Sequence, residues 1–167
     1  MSGIRRAAGK QASIEHAVEL TARWRADGET VAMANGVFDL LHVGHVRYLS
    51  GARGLVSRLI VGVNGDGSAA TLKGAGRPVL SAAERASLVW ALRDVDLVVI
   101  FEQPTADRLL ERIRPDLHVK GTDYRVDTVP ERATVNAMGG RVAIAGDEKT
   151  HSSRELFSRV RARYART

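Results

Sequence analysis

His42 and His45 stand three residues apart in the run Asn35-Gly-Val-Phe-Asp-Leu-Leu-His-Val-Gly-His-Val-Arg-Tyr-Leu49. The apolar stretch Thr30–Ala34 leads into this segment and an amphipathic stretch leads out, so the pair falls where a strand hands over to a helix. A three-residue separation sets both imidazoles on one side of the first helical turn. Free backbone N–H groups and the helix dipole converge at such a junction and favour an anion. Gly44 has no side chain to keep a phosphate from the backbone. The chemistry this suggests is phosphate chemistry. A zinc site would need further ligands, and no Cys, His or carboxylate pattern accompanies the pair. A core role does not suit a loop–helix junction.

Other segments offer cations. Lys73-Gly-Ala-Gly-Arg77-Pro78 reads as a glycine-rich loop whose Lys73 and Arg77 are mobile cations that reach over a polyphosphate, with a plain solvated loop as the alternative. Lys120-Gly-Thr-Asp-Tyr124 follows an apolar strand; lysine is costly to bury without a partner, so its ammonium is expected at a pocket mouth. In Thr150-His-Ser152-Ser153-Arg154, two hydroxyls precede a helix that Arg154 helps to open, which suits an anion as well as a simple cap. Arg85 lies in the first turn of its helix, and two readings are open for it: facing the same edge or merely meeting solvent. Gly65-Asp-Gly67-Ser-Ala-Ala70 matches a dinucleotide fingerprint weakly, because a proline- and glycine-rich stretch follows almost at once. His16 and His118 read as structural residues.

The elements that must position these groups alternate along the chain. Helices are expected at Ser13 to about Asp27, Gly44–Arg53, Ser81 to about Leu92, Pro104–Ile113 (with proline in its first turn), Pro130–Met138 and Ser152–Tyr164. Strands are expected at Thr30–Ala34, Arg58–Val63, Val95–Phe101, Leu117–Lys120 and Arg141–Ala145. Asn64–Pro78 reads as a glycine-rich loop. Alternation with short links implies an α/β fold: a doubly wound, parallel, five-stranded sheet with helices on both faces, Rossmann-like. Ligands in such folds bind beyond the carboxyl ends of the strands, where strand order reverses. The candidate residues all fall in loops at that edge. Residues 1–12 read as a mobile lead and 13–167 as one domain.

Composition is ordinary: 44% apolar, 26% charged, no cysteine, and no apolar run long enough for a membrane span. A cytoplasmic location is the expectation. The net charge of +6, from 25 Lys and Arg against 19 Asp and Glu, concentrates at the two ends. No aromatic residues interleave a basic stripe, so a field that attracts small phosphorylated substrates is expected rather than nucleic-acid binding.

The segment Asn35–His45 resembles the signature of the cytidylyltransferase-like nucleotidyltransferases, with their His-x-Gly-His motif. Leu59-Ile-Val-Gly-Val-Asn64, Leu72–Val79, Glu84-Arg85-Ala86, Arg114-Pro-Asp116 and Val119–Tyr124 resemble, within that family, the bacterial heptose 1-phosphate adenylyltransferases of lipopolysaccharide precursor synthesis. The resemblance spans roughly Thr30 to Phe157. It implies that Phe38, His42, His45 and Asn64 border a nucleotide, that Lys73, Arg85, Lys120 and Arg154 contact phosphates, and that Ser152 and Ser153 match a Ser-Thr pair under the nucleotide phosphates. Two departures are Thr122 in place of a glycine and Ser153 in place of threonine. Similar proteins often carry a fused sugar kinase; a separate kinase is therefore expected to supply the substrate here.

Taken together, His42, His45, Lys73 and Arg154 are expected to be catalytic. Asn35, Gly36, Phe38, Gly44, Asn64, Arg85, Lys120, Ser152 and Ser153 are expected to bind the nucleotide, and Asp39, Arg77, Thr122, Asp123 and Tyr124 the acceptor. The expected reaction passes AMP from ATP to a sugar 1-phosphate, whose oxygen attacks the α-phosphorus in line and releases pyrophosphate. A phosphate monoester with a second pKa of about 6 is mostly a dianion at neutral pH, so no general base is required. Mg²⁺ is expected to ride on the ATP phosphates with no protein cage. No membrane or nucleic-acid partner is expected, and a homodimer is compatible with the chain. Three readings stay open beside this one: a cytidylyltransferase acting on a polyol or amino-alcohol phosphate, a dinucleotide-binding module without turnover, and a nucleic-acid binder resting on charge alone.

Overall fold

The computed structural model describes residues 12–147 and 152–164. Five strands, β1 (Val31–Gly36), β2 (Arg58–Asn64), β3 (Leu97–Phe101), β4 (Leu117–Gly121) and β5 (Arg141–Ala145), form one sheet in the order β3-β2-β1-β4-β5. Every pairing is parallel. The helices are α1 (Ile14–Ala26), α2 (Val43–Arg53), α3 (Asp66–Lys73), α4 (Ala82–Trp90), α5 (Asp107–Ile113), α6 (Arg132–Ala137) and α7 (Ser153–Tyr164), with a 3₁₀ turn at Val126–Thr128. The expected α/β class and strand count hold.

The side-chain period of two explains the layers. Ala32, Ala34, Leu59, Val61 and Val63 turn to one face and pack with Leu49 and Ala52 of α2 and Ala86 and Val89 of α4. Val31, Met33, Ile60 and Val99 turn to the other and pack with Ala17 of α1, Leu109 and Leu110 of α5 and Val135 of α6. With both faces covered, the central strands bury every core position, hence their continuous apolar runs. Strand order reverses between β1 and β4. The crevice beyond their carboxyl ends is where this topology places a ligand.

Three local expectations need correction. The loop expected over Asn64–Pro78 contains α3: Asp66 sits favourably in its first turn, Ala69 packs inward, and Gly74 ends it at a φ of 89° that glycine adopts readily. Lys73 is therefore the last residue of a helix. The Gly65–Ala70 fingerprint does open a helix, but after β2 and for eight residues. Pro104 lies before α5 rather than in its first turn: the helix is capped at Ala106, and the Gln103 carbonyl ahead of it accepts from the Asn64 side chain. The mobile lead expected at 1–12 lies outside the described residues except for Ala12, whose N–H donates to the Val98 carbonyl.

Candidate functional site

The chain leaves β1 through two non-glycine residues in the left-handed region, Phe38 at φ 53° and Leu40 at φ 57°. Such conformations cost energy and collect at functional sites. The bend turns the Phe38 ring back over Gly36, where an added Cβ would lie 3.2 Å from it, and sets it 5.3 Å from the His45 ring. Gly36 is thus the residue that lets the aromatic ring line the site.

The His-x-Gly-His segment caps its own helix. His42 is the N-cap of α2, and its Nδ1 accepts from the Gly44 N–H at 3.2 Å. His45 reaches back so that its Nδ1 accepts from the His42 N–H at 3.3 Å. The rings stack with centroids 3.9 Å apart. With both Nδ1 atoms accepting, each ring carries its hydrogen on Nε2. This corrects one expectation. The Gly44 and His45 amides are not free for an anion, since the first donates to the His42 ring and the second to the His42 carbonyl. The donor that each ring can offer at this turn is its Nε2–H group.

Opposite, α7 presents its own N-terminus. Ser152 caps it by accepting from the Glu155 N–H, and Ser153 Oγ donates to the Asp39 carbonyl at 2.7 Å. Gly146, at φ 101°, allows the chain after β5 to pass against α2: a Cβ there would come within 3.2 Å of the Tyr48 Cα. Thr150 and His151 of the expected motif lie outside the described residues.

These segments enclose a cavity of about 770 Å³ at the β1/β4 crevice. It is lined by His42, His45, Lys73, Arg154, Asn35, Gly36, Phe38, Gly44, Asn64, Lys120, Ser152, Ser153, Asp39, Arg77, Thr122, Asp123 and Tyr124. Every candidate residue from the sequence is brought there except Arg85. That guanidinium has no exposed surface: it donates to the carbonyls of Leu80, Val37 and Asn64 and pairs with Asp66. Arg85 braces the ends of β1 and β2 from behind: four of its five N–H donors are taken, and the buried guanidinium does not line the cavity.

The cations in the cavity are more compensated than the sequence suggested. Arg77 pairs with Asp39, which also accepts from the Val79 and Leu80 N–H groups, while the Arg77 guanidinium lies 4.3 Å from the Phe157 ring centre. Burial pushes the Asp39 carboxyl upward, but Arg77 and the two amides outweigh it and hold the group below its ordinary value. The loop after α3 is therefore pinned, and Arg77 is not a mobile cation. Arg47 pairs with Asp147 at 3.3 Å, and the Thr122 hydroxyl donates to the Asp147 carbonyl at 2.6 Å.

Lys120 is the sharpest case. It is 6% exposed, and its ammonium donates to Asn35 Oδ1 at 3.2 Å and to Glu131 Oε1 at 3.3 Å. Glu131, 3% exposed, lies just before α6 and had no local signal in the sequence. The clue available was the lysine itself, since a buried ammonium demands an anion. His118, fully buried beside them, shares Asn35 Oδ1 at 3.0 Å. Burial first, and the Lys120 charge second, pull the His118 imidazole down to about 4. Tyr48, Pro104 and Thr105 are further lining residues that sequence reasoning missed. The Tyr48 hydroxyl donates to the Val119 carbonyl at 2.6 Å and is raised by burial. Among the described residues no group of three or more His, Cys, Asp or Glu side chains could hold a metal ion.

Comparison with known proteins agrees with this geometry. Residues 33–163 match the family model described as cytidylyltransferase-like. The "Bifunctional protein HldE" of Magnetococcus marinus is 46% identical over 153 residues, 92% of this chain and 31% of that protein. The protein of the same name from Acidiphilium cryptum is 48% identical over 146 residues, 87% of this chain and 30% of that one. The chain thus spans about a third of the length of these curated relatives. A crystal structure of a lipopolysaccharide core biosynthesis protein from Thermoplasma volcanium GSS1 superimposes with a TM-score of 0.60 at 29% identity, covering 70% of this chain and 94% of that one. Among the described residues no helix is long and apolar enough to cross a membrane.

Proposed function

This chain belongs to the cytidylyltransferase-like family and is a nucleotidyltransferase, and from that premise we propose that it transfers AMP from ATP to a sugar 1-phosphate, D-glycero-β-D-manno-heptose 1-phosphate, releasing pyrophosphate. The observation that carries the reading is the shared cavity. The stacked His42 and His45, the N-terminus of α7, and Lys73, Lys120 and Arg154 meet at the switch point of the sheet. The similarity to proteins named HldE supports a heptose acceptor.

In this reading the triphosphate lies along the N-termini of α2 and α7. The Nε2–H groups of His42 and His45 donate to the oxygens around the α-phosphorus. Lys73 and Arg154 face charge that grows on the departing pyrophosphate. The acceptor dianion needs no base, so positioning and charge neutralisation supply the catalysis. Thr122, Asp123 and Tyr124 sit where sugar hydroxyls would be read. The described residues do not form a cage for Mg²⁺; the ion is proposed as a companion of the triphosphate, where it would share the charge of the phosphate oxygens.

The test is pyrophosphate release from each of ATP, CTP, GTP and UTP with heptose 1-phosphate, mannose 1-phosphate, glycerol 3-phosphate and phosphocholine. Turnover confined to ATP with heptose 1-phosphate supports the proposal. Turnover confined to CTP with an alcohol phosphate would replace it with the cytidylyltransferase reading.

A further inference from the structure

His118 lies inside β4 with no exposed surface and is left without a task by the reaction above. It nonetheless points at a residue that lines the cavity, through Nε2 at 3.0 Å from Asn35 Oδ1. The same oxygen lies 3.2 Å from the Lys120 ammonium. An ammonium only donates, so the carboxamide atom facing it must be the oxygen; a flipped amide would set NH₂ against NH₃⁺. The oxygen then accepts from His118 as well, which fixes the imidazole hydrogen on Nε2. His118 Nδ1 is buried without a partner, consistent with a nitrogen that carries no hydrogen. Glu131 holds the ammonium from its other side. The Oδ1 end of the Asn35 amide is thus committed inward, and the Nδ2 end, a donor only, is the part left for a ligand.

We propose that His118 is a positioning residue: with Lys120 it clamps the Asn35 carboxamide so that Asn35 Nδ2 donates to a phosphoryl oxygen of the bound nucleotide. This rests on the adenylyl-transfer reading of the cavity. A phosphoryl oxygen only accepts, so a fixed donor is complementary to it and a freely rotating amide is not. Lys120 alone would leave the amide plane free to swing; the second bond from a different strand position removes that freedom. Preorganised donors of this kind carry much of the rate of phosphoryl and acyl transfer.

Three variants separate positioning from simple packing. Asn35→Asp keeps both inward bonds and the volume, but turns a carboxylate oxygen toward the nucleotide. His118→Leu removes the donor at similar size, and His118→Gln restores an Nε2 donor. Melting temperature, ATP affinity by calorimetry, and kcat and KM for ATP with heptose 1-phosphate are measured for each. The expected result is a fall in kcat of about 10²–10³ for Asn35→Asp with the fold retained. His118→Leu should lose about tenfold in kcat and in ATP affinity, and His118→Gln should recover to within about threefold of the parent. Equal losses in His118→Leu and His118→Gln, or values for Asn35→Asp within twofold of the parent, would overturn the proposal. Calorimetry keeps the role of His118 separable from the identity of the acceptor. A parent that binds ATP but turns over no sugar phosphate sinks the adenylyl-transfer reading, while the affinity ratios still judge His118. A parent that binds no ATP sinks both.

Discussion

Two corners of one cavity hold histidines in opposite ways. At the start of α2, His42 and His45 bond to backbone no more than three residues away, and their stacked rings line the cavity. At β4, His118 is buried in a cluster with Asn35, Lys120 and Glu131, drawn from three separate parts of the chain. The first corner is a local turn that supplies donors. The second is a closed polar network that supplies orientation. Identical side chains thus take different places from their surroundings: a helix terminus sets an imidazole at the cavity wall, and a strand between two packed layers buries it in a polar network.

Breaking the closed corner should give the largest effect. Glu131→Leu leaves the Lys120 ammonium buried without its anion and is expected to cost about 3–5 kcal/mol of stability, read by urea denaturation. A loss under about 1 kcal/mol would mean that the pair is not buried as described. The open corner should respond in rate rather than in stability. His45→Ala removes one Nε2 donor and should lower kcat by about 10²–10³, while stability falls only by the roughly 1 kcal/mol of a helix cap. Activity within twofold of the parent would remove His45 from the chemistry.

Acid should then separate the corners. His118 is held near 4 in the fold against 6.5 for a free imidazole. The unfolded chain therefore binds the extra proton first, so stability is full above about 6.5 and drains as pH falls toward 4. The size is on the order of 3 kcal/mol, from a shift of that extent. Melting curves of the parent and of His118→Gln between pH 7 and 4.5 should diverge, with the variant losing less; parallel curves would deny the buried, uncharged His118. Asp39 works in the same direction lower down, since its depressed carboxyl contributes stability that is lost only as pH falls through its folded value. The smallest effect is expected from Ser153→Ala. Losing the hydroxyl's bond to the Asp39 carbonyl should cost about 1 kcal/mol and loosen α7 against the cavity, visible as faster hydrogen exchange of its first turn.

Much of the layout was legible because the signals are local. The helices expected to open at Ser81 and Ser13 do so, Ser81 in a capping box with Glu84 and Ser13 as the cap of α1. The central strands bury both faces, as their continuous apolar runs implied. The residues singled out in loops beyond the strand ends gather at one cavity because parallel topology sends every such loop to the same edge. What failed to read was pairing. Arg85 has the type and place of a phosphate ligand, yet three carbonyls and Asp66 take four of its five donors. Arg77 looked like a mobile cation, but Asp39 and Phe157 lie against it. Glu131 carried no motif at all.

By itself the sequence determined most of the helices and strands, which faces are apolar, and that two histidines stand at a strand-to-helix turn on the carboxyl edge of the sheet. Each of these depends on neighbours within a turn or a pleat. Tertiary structure alone decided which charges remain for a ligand and which neutralise one another. Coulomb energy and desolvation depend on distance and burial in space, and the partners that set them, Asn35 with His118 or Lys120 with Glu131, are joined only when the sheet assembles.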